Sequence, residues 1–296
     1  MLERGVAGGG VAAWADGGGQ GVGRAGLCMG ADLGASRLAD PGLAPLAALS
    51  GGVSEPTDVA YLTRVNLKRG AQVIKTRANP RAGLAEQDPR ELVYNHDQLS
   101  AVVKAAGKAG VLCHAYSAEG IDGAVRAGVR SIEHGVFVSE ETISRMARSG
   151  TYFTPTLDAI TSMAGSSNPI LAARGAEYTP IIKAAVRAAH EAGVTVVAGT
   201  DSFGSDVTPI GTEARLLAEA GLSPLDALRA ATVNAAALLG GSESAGPLGR
   251  GSFADAIMGD SDPWNGAVAR EEIGVGVAAG VVGRNAAGRG VPGSSA

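Results

Sequence analysis

From residue 71 onward, short runs of β-branched residues alternate with longer segments whose apolar positions recur every three or four residues. This alternation constrains the fold more than any other feature of the chain. Strand and helix in repeated succession specify parallel βαβ units, because neighbouring parallel strands need a crossover long enough to hold a helix. The runs predict strands at 72–76, 111–116, 131–135, 152–156 and 194–201. Helix signals lie between them. Asn95 with Gln98 three residues on matches a capping box, and Ser139 precedes Glu140 and Glu141, with Gly150 as the stop. Thr179-Pro180 predicts a helix start whose end is Gly193, and Ser223-Pro224 a helix running through Ala236. Upstream, Val59 to Lys68 reads as an amphipathic helix and Gly26-Leu27-Cys28-Met29 as a short strand.

Five strand–helix units can be counted. Eight close a TIM-type barrel and normally need about 250 residues. Only about seventy residues precede the first clear strand, so the expectation is an α/β fold, an incomplete (β/α) barrel lacking an early unit. Residues 1–24 are Gly-rich with few large apolar groups and are expected to form a disordered tail. The partial barrel is assigned to 25–240, a small β-rich appendage to 241–285, and a loose end to 286–296.

A formal charge of −4 supplies no basic field for nucleic acid or an anionic membrane. No stretch approaches the roughly 20 apolar residues of a membrane span, and glycines with Asp16 interrupt any secretory core near the start. Two cysteines, Cys28 and Cys113, make no disulfide framework, and Cys113 in its apolar run reads as a buried, inert thiol. The expected setting is the cytoplasm and the expected partner a small molecule, with neither nucleic acid nor membrane; self-association into a homo-oligomer is left open.

Four polar residues fall at or just beyond predicted strand ends, where barrel enzymes carry their chemistry. They are Lys75 in VIKT, His114 in LCHAY, His134 in IEHG and Asp201 in AGTD, separated by 39, 20 and 67 residues. Whole βα units fit between them, so the strands can bring all four to one mouth. Two imidazoles and a carboxylate are competent ligands for Zn²⁺ or a similar ion. Singly, each has a plainer reading: a hydrogen-bonded structural histidine, a snorkelling lysine, an aspartate capping a helix.

The segments QVIKTRANPRAGLAEQDPREL, VLCHAYSAEGIDGAVRAGVRSIEHG, TYFTPT and VTVVAGTDSFG together resemble the later half of the barrel of the metal-dependent amidohydrolase superfamily, in its imidazolonepropionase-like and Xaa-Pro dipeptidase-like subgroup. GLSPLDALRAATVNAAALLG and GPLGRGSFADAIMGDSDP resemble the helix after the last barrel strand and the return into a small β-sandwich, so the likeness spans about 55–265. The resemblance implies a sandwich remnant at 241–285 and one or two divalent ions, zinc first among them. It implies that Lys75 bridges two ions as a CO₂-derived carbamate, and that His114 and His134 bind one of them. It also implies that Asp201 contacts the other ion and relays a proton from water to the leaving amine. Tyr116, two residues past His114, is placed to line the pocket.

Members of that family open the barrel with a His-x-His pair. This chain has four histidines and none before His96. His96, in a helix cap, and His190, on a helix face, read as surface or packing residues, and GVGVAAGVVG stands where a longer sandwich strand is expected. Two readings follow. One is a hydrolase of amide or peptide bonds, acting on dipeptides or N-acyl amino acids; the other is a remnant without turnover that serves as a binding module. A phosphate-binding barrel is a poorer third, since no P-loop fingerprint occurs.

Overall fold

The computed structural model describes residues 28–29, 55–68, 71–202, 208–240, 245, 248–259, 273–278 and 281–285, and the tails expected at 1–24 and 286–296 lie outside them. A five-stranded sheet carries the architecture: β1 (Cys28–Met29), β2 (Ile74–Arg77), β3 (Val111–Ala115), β4 (Ser131–His134) and β5 (Tyr152–Thr154), in that order. Every pairing is parallel. Helices α1 (Pro56–Lys68), α2 (His96–Ala106), α3 (Ala118–Ala127), α4 (Glu140–Ser149), α5 (Leu157–Ser162) and α6 (Pro169–Glu191) come next, followed by α7 (Ile210–Glu219), α8 (Pro224–Ala231) and α9 (Val233–Leu238). The fold is therefore α/β with a parallel sheet. None of the described helices is long and apolar enough to cross a membrane.

The local signals act as their chemistry dictates. Asn95 and Gln98 close a reciprocal capping box on α2, and Ser117, Ser139 and Ser223 cap α3, α4 and α8. Alternation along the strands sorts side chains to two faces. Ile74, Cys113, Ile132 and Phe153 enter the large core beneath the helices, and Cys113 is a buried free thiol. On the opposite face, Val73, Leu112 and Val197 pack with Ala235 and Leu238 of α9 in a smaller cluster. Above that cluster the register aligns Arg77, His114, Glu133 and Thr154 in one polar rung.

Three expectations change. A single helix, α6, runs from Pro169 through Pro180 to Glu191, where a new start had been expected at Thr179-Pro180. Its buried stripe of Gly175, Tyr178, Ile182, Ala185, Val186 and Ala189 crosses Pro180 unbroken, and Thr179 Oγ1 donates to the Gly175 carbonyl at 2.6 Å. Tertiary burial thus outweighs the donor lost at proline. The helix expected through Ala236 breaks at Thr232 into α8 and α9. The Ala230 carbonyl there accepts from the Ala198 N–H at 3.0 Å, and Asn234 Nδ2 donates to the Val196 carbonyl at 2.9 Å. Those bonds also explain why the predicted strand 194–201 is only a parallel bridge between Phe153 and Val196: helix groups satisfy its other edge.

Near the C-terminus, β6 (Ala256–Gly259), β7 (Ile273–Ala278) and β8 (Val281–Asn285) form an antiparallel three-stranded sheet. Of GVGVAAGVVG, residues 274–278 belong to β7 and 281–283 to β8, two antiparallel strands where one longer strand had been expected.

Asn79, just past β2, fastens one strand end to the next. Its Oδ1 accepts from the Tyr116 N–H at 2.8 Å, and its Nδ2 donates to Glu91 O at 2.6 Å and to Ser117 Oγ at 2.8 Å. Gly120 in α3 makes room for it, since a Cβ there would lie well inside contact distance of Asn79 Oδ1. Alanine usually stabilises a helix interior relative to glycine by about 0.5–1 kcal/mol. Gly120→Ala is instead expected to lose about 1–3 kcal/mol through overpacking. Urea unfolding gives the sign directly, and a gain in stability would contradict the clash.

Candidate active site

The site lies at the C-terminal ends of β3 and β4. His114 follows strand alternation and joins the polar rung. His134 is paired in register with Ala115, whose side chain enters the helix-side core, so alternation alone would send the imidazole there. Its backbone instead takes φ 70°, and the ring turns to His114. Thr156 (φ 51°) and Asp201 (φ 52°) share this left-handed conformation, and among the described residues these three are the only non-glycines that do. Such backbone costs of order 1–3 kcal/mol per residue and collects where function holds it. Gly135 (φ 63°) completes the turn, and a Cβ there would come within 2.5 Å of the Phe153 ring.

The hydrogen bonds assign every proton. Nε2 of His114 lies 3.1 Å from the Pro80 carbonyl, which only accepts, so Nε2 carries the hydrogen. Nδ1 of His114 is then an acceptor, and His134 Nε2 donates to it at 2.9 Å. His134 Nδ1, 2.6 Å from Thr156 Oγ1, accepts the threonine hydroxyl hydrogen. Both rings are neutral in this chain of bonds. Burial, followed by the Lys75 charge, lowers His114 from 6.5 to about 3. Burial, then the charges of His114 and Lys75, hold His134 well below its usual value.

Tyr116 stacks on His134, with centroids 4.9 Å apart and ring planes 12° apart, and meets His114 edge-on at 5.0 Å. Burial, aided by the Asp201 carboxylate, pushes its phenol well above 10, so it stays a hydrogen-bond donor. Oδ2 of Asp201 is 4.0 Å from His134 Nε2. Lys75 lies one rung lower, in register with Leu112, and its Nζ is 3.7 Å from Glu133 Oε2. Glu133 also accepts from Ser131 Oγ at 2.6 Å. Among the described residues no three His, Cys, Asp or Glu side chains group with metal-ligand spacing. What converges is an imidazole pair with one carboxylate beside it and one lysine below. His96 faces the Gly123 carbonyl and His190 lies near Asp226, partners outside this pair.

The comparisons with known proteins bear on the fold and the family. The sequence pattern of the amidohydrolase family matches residues 21–286. The chain belongs to the amidohydrolase family. Ochratoxinase of Aspergillus niger is 29% identical over 230 residues, covering 75% of this chain and 47% of its own length. Its crystal structure superposes with a TM-score of 0.70 at 25% identity, covering 78% of this chain and 55% of that one. A Xaa-Pro dipeptidase crystallised with methionine in its active site gives a TM-score of 0.74 at 29% identity, over 79% of this chain and 60% of the dipeptidase. This amidohydrolase therefore spans about half the length of the curated relatives it matches.

Sequence reasoning missed Thr156, the Pro80 carbonyl, Glu133 and Glu213. Glu133 stood in the quoted IEHG, and strand parity with His114 could have found it. Glu213 could have been found as a charge at helical spacing with Leu216, Leu217 and Ala220. A backbone carbonyl leaves no residue-type signal.

The depressed histidines carry a consequence for acid stability. Below pH 6.5 the unfolded chain takes up protons on these imidazoles that the folded chain refuses, down to about 3 for His114 and well below 6.5 for His134. The stability these histidines contribute is therefore complete above 6.5 and is lost with acidification, by up to about 1.4 kcal/mol per pH unit for each. Glu213, buried in α7 with its carboxyl pushed up to about 8, adds a slope of the opposite sign, so the measured quantity is a difference: in denaturant unfolding of the metal-free protein between pH 6.5 and 5, His114→Asn should lose less stability on acidification than the parent by about one proton's worth. Equal slopes in the two proteins would contradict it.

Proposed function

We propose that this chain hydrolyses a carbon–nitrogen bond in a small amide or peptide, a dipeptide or an N-acyl amino acid, at a divalent metal site built on His114 and His134, in the cytoplasm. The facing nitrogens of the two histidines carry this reading. Zn²⁺ bonds of about 2.0–2.1 Å at tetrahedral angles put two ligand nitrogens about 3.3 Å apart. Nδ1 of His114 and Nε2 of His134 are already 2.9 Å apart, and the remaining nitrogen of each ring is held by a carbonyl or a hydroxyl. Anchoring of the second nitrogen is a regular feature of histidine ligands. The donor set therefore fits zinc after a small opening and the move of the His134 proton from Nε2 to Nδ1. Thr156 can follow that change, because a hydroxyl accepts from Nδ1–H as readily as it donates to Nδ1.

The ion would lower the pKa of water and polarise the scissile carbonyl. The protein's own groups do the rest. Low basicity keeps both imidazoles unprotonated and free to act as ligands at any neutral pH. The Asp201 carboxylate takes the proton from the attacking water and returns it to the departing amine, a role worth about 10²–10⁴-fold in rate. Tyr116 keeps its phenolic proton and closes one side of the site with its ring. Lys75 is the further ligand once its amine has added CO₂ to form a carbamate. Starting from the ammonium that pairs with Glu133, the addition releases two protons, of which one can pass to Glu133, 3.7 Å from Nζ, and the other to solvent. The names of the relatives, a dipeptidase among them, support a small amide substrate.

A second reading, binding without turnover, is favoured by the lack of any histidine before His96. Elemental analysis after incubation with Zn²⁺ and bicarbonate separates the two. About one ion per chain is expected in the parent, and less than about a tenth of that in His114→Ala and in His134→Ala, given two anchoring ligands. Amine release from Xaa-Pro dipeptides and N-acyl amino acids should then fall about 10²–10⁴-fold in Asp201→Asn. A parent chain that takes up no metal would remove the hydrolase reading.

A further inference from the structure

Glu213, in α7, is fully buried, and none of the proposed chemistry uses it. Its Oε1 accepts from the Leu157 N–H and its Oε2 from the Asp158 N–H, both at 2.8 Å. These are the first two N–H groups of α5, which would otherwise be orphans. A threonine immediately before a helix normally accepts from such groups with its own hydroxyl, using an extended backbone. Thr156 does neither: it is left-handed (φ 51°, ψ 52°) and makes no side-chain cap bond. Its hydroxyl faces away from α5 and sits 2.6 Å from His134 Nδ1.

We infer that Glu213 is a positioning residue for His134: it caps α5 in place of Thr156, and so releases the Thr156 hydroxyl to hold the ring of the histidine in its orientation. The arrangement couples α7 to the site through one helix end. Burying a carboxylate is costly, and burial pushes the Glu213 carboxyl up to about 8 even though two N–H bonds pull the other way. A capping threonine would satisfy α5 with no buried acid, so the cost makes sense only if the hydroxyl is needed elsewhere. Among the described residues Glu213 hydrogen-bonds to these two α5 groups alone, and they belong to the two residues that directly follow the one in contact with His134. The inference rests on the hydrolase reading for its purpose, and on the geometry alone for its existence.

The test reads the ring nitrogens of His134 by ¹⁵N NMR in the metal-free protein, where four histidines make assignment by substitution practical. In the parent, Nε2 of His134 should be protonated and Nδ1 bare. Glu213→Gln replaces one accepting oxygen with a donor, so Thr156 should shift and the bond to Nδ1 of His134 should be lost, moving the Nδ1 resonance downfield toward that of an unbonded ring nitrogen while Nε2 stays protonated against His114. Thr156→Val should do the same with α5 still capped, and Thr156→Ser should restore the parental signals. Zn²⁺ affinity by chelator competition should fall about 10- to 100-fold in Glu213→Gln and in Thr156→Val. The double variant should lose no more than either single one. A Glu213→Gln protein that is folded, melts lower, and keeps the parental His134 signals would overturn the inference. Unchanged signals in Thr156→Val would overturn it even if Glu213→Gln does not fold. A parent chain that binds no zinc yet gives the expected NMR pattern would sink the hydrolase reading and leave the positioning role standing.

Discussion

The hydrogen bond from Nε2 of His134 to Nδ1 of His114 organises everything around it. It requires a bare Nδ1 on His114 and a proton on Nε2 of His134, and each ring is tied at its far end, one to the Pro80 carbonyl and the other to the Thr156 hydroxyl. Those anchors come from the segments after β2 and β5, on either side of the strands that carry the histidines. Four successive strand ends are thus joined through two imidazoles. A parallel sheet supplies this convergence, because all its strands finish at the same edge.

Convergence alone would not bring the two rings together, since strand parity sends His134 to the wrong face. The left-handed backbone at His134 corrects that, and Thr156 and Asp201 use the same device at neighbouring strand ends. Three such residues cost several kcal/mol between them. The surroundings hold them in place. Phe153 fills the space a side chain at residue 135 would need, Asn79 locks the β2 and β3 ends together, and Glu213 holds the end of α5. Strain at the site and rigidity beneath it belong to one design, in which a packed core keeps ligand geometry from relaxing.

The sequence made the frame legible because strands and helices announce themselves through periodicity and caps. Asn95, Ser139 and Gly150 marked helix ends by local chemistry, and local chemistry decided them. His114, His134, Asp201 and Tyr116 could be gathered because each sits at a strand end. What stayed hidden depends on partners distant in sequence. Pro180 looked like a boundary until the burial of Tyr178 and Ile182 carried the helix through it. The break at Thr232 is set by Ala198, which takes a carbonyl from α8. Thr156 looked like the end of a strand, and its bond to His134 requires a turn that no residue type in TYFTPT demands.

Family membership, the facing nitrogens and the neutral rings all bear on one claim, that His114 and His134 form a ready ligand pair. Anomalous diffraction at the zinc edge from zinc-loaded crystals tests it most directly. The account predicts an ion within about 2.0–2.1 Å of Nδ1 of His114 and Nε2 of His134, with Pro80 and Thr156 still bonded to the other ring nitrogens. An ion bound through Nε2 of His114, or seated on His96 or His190 with the central pair left hydrogen-bonded, would contradict it.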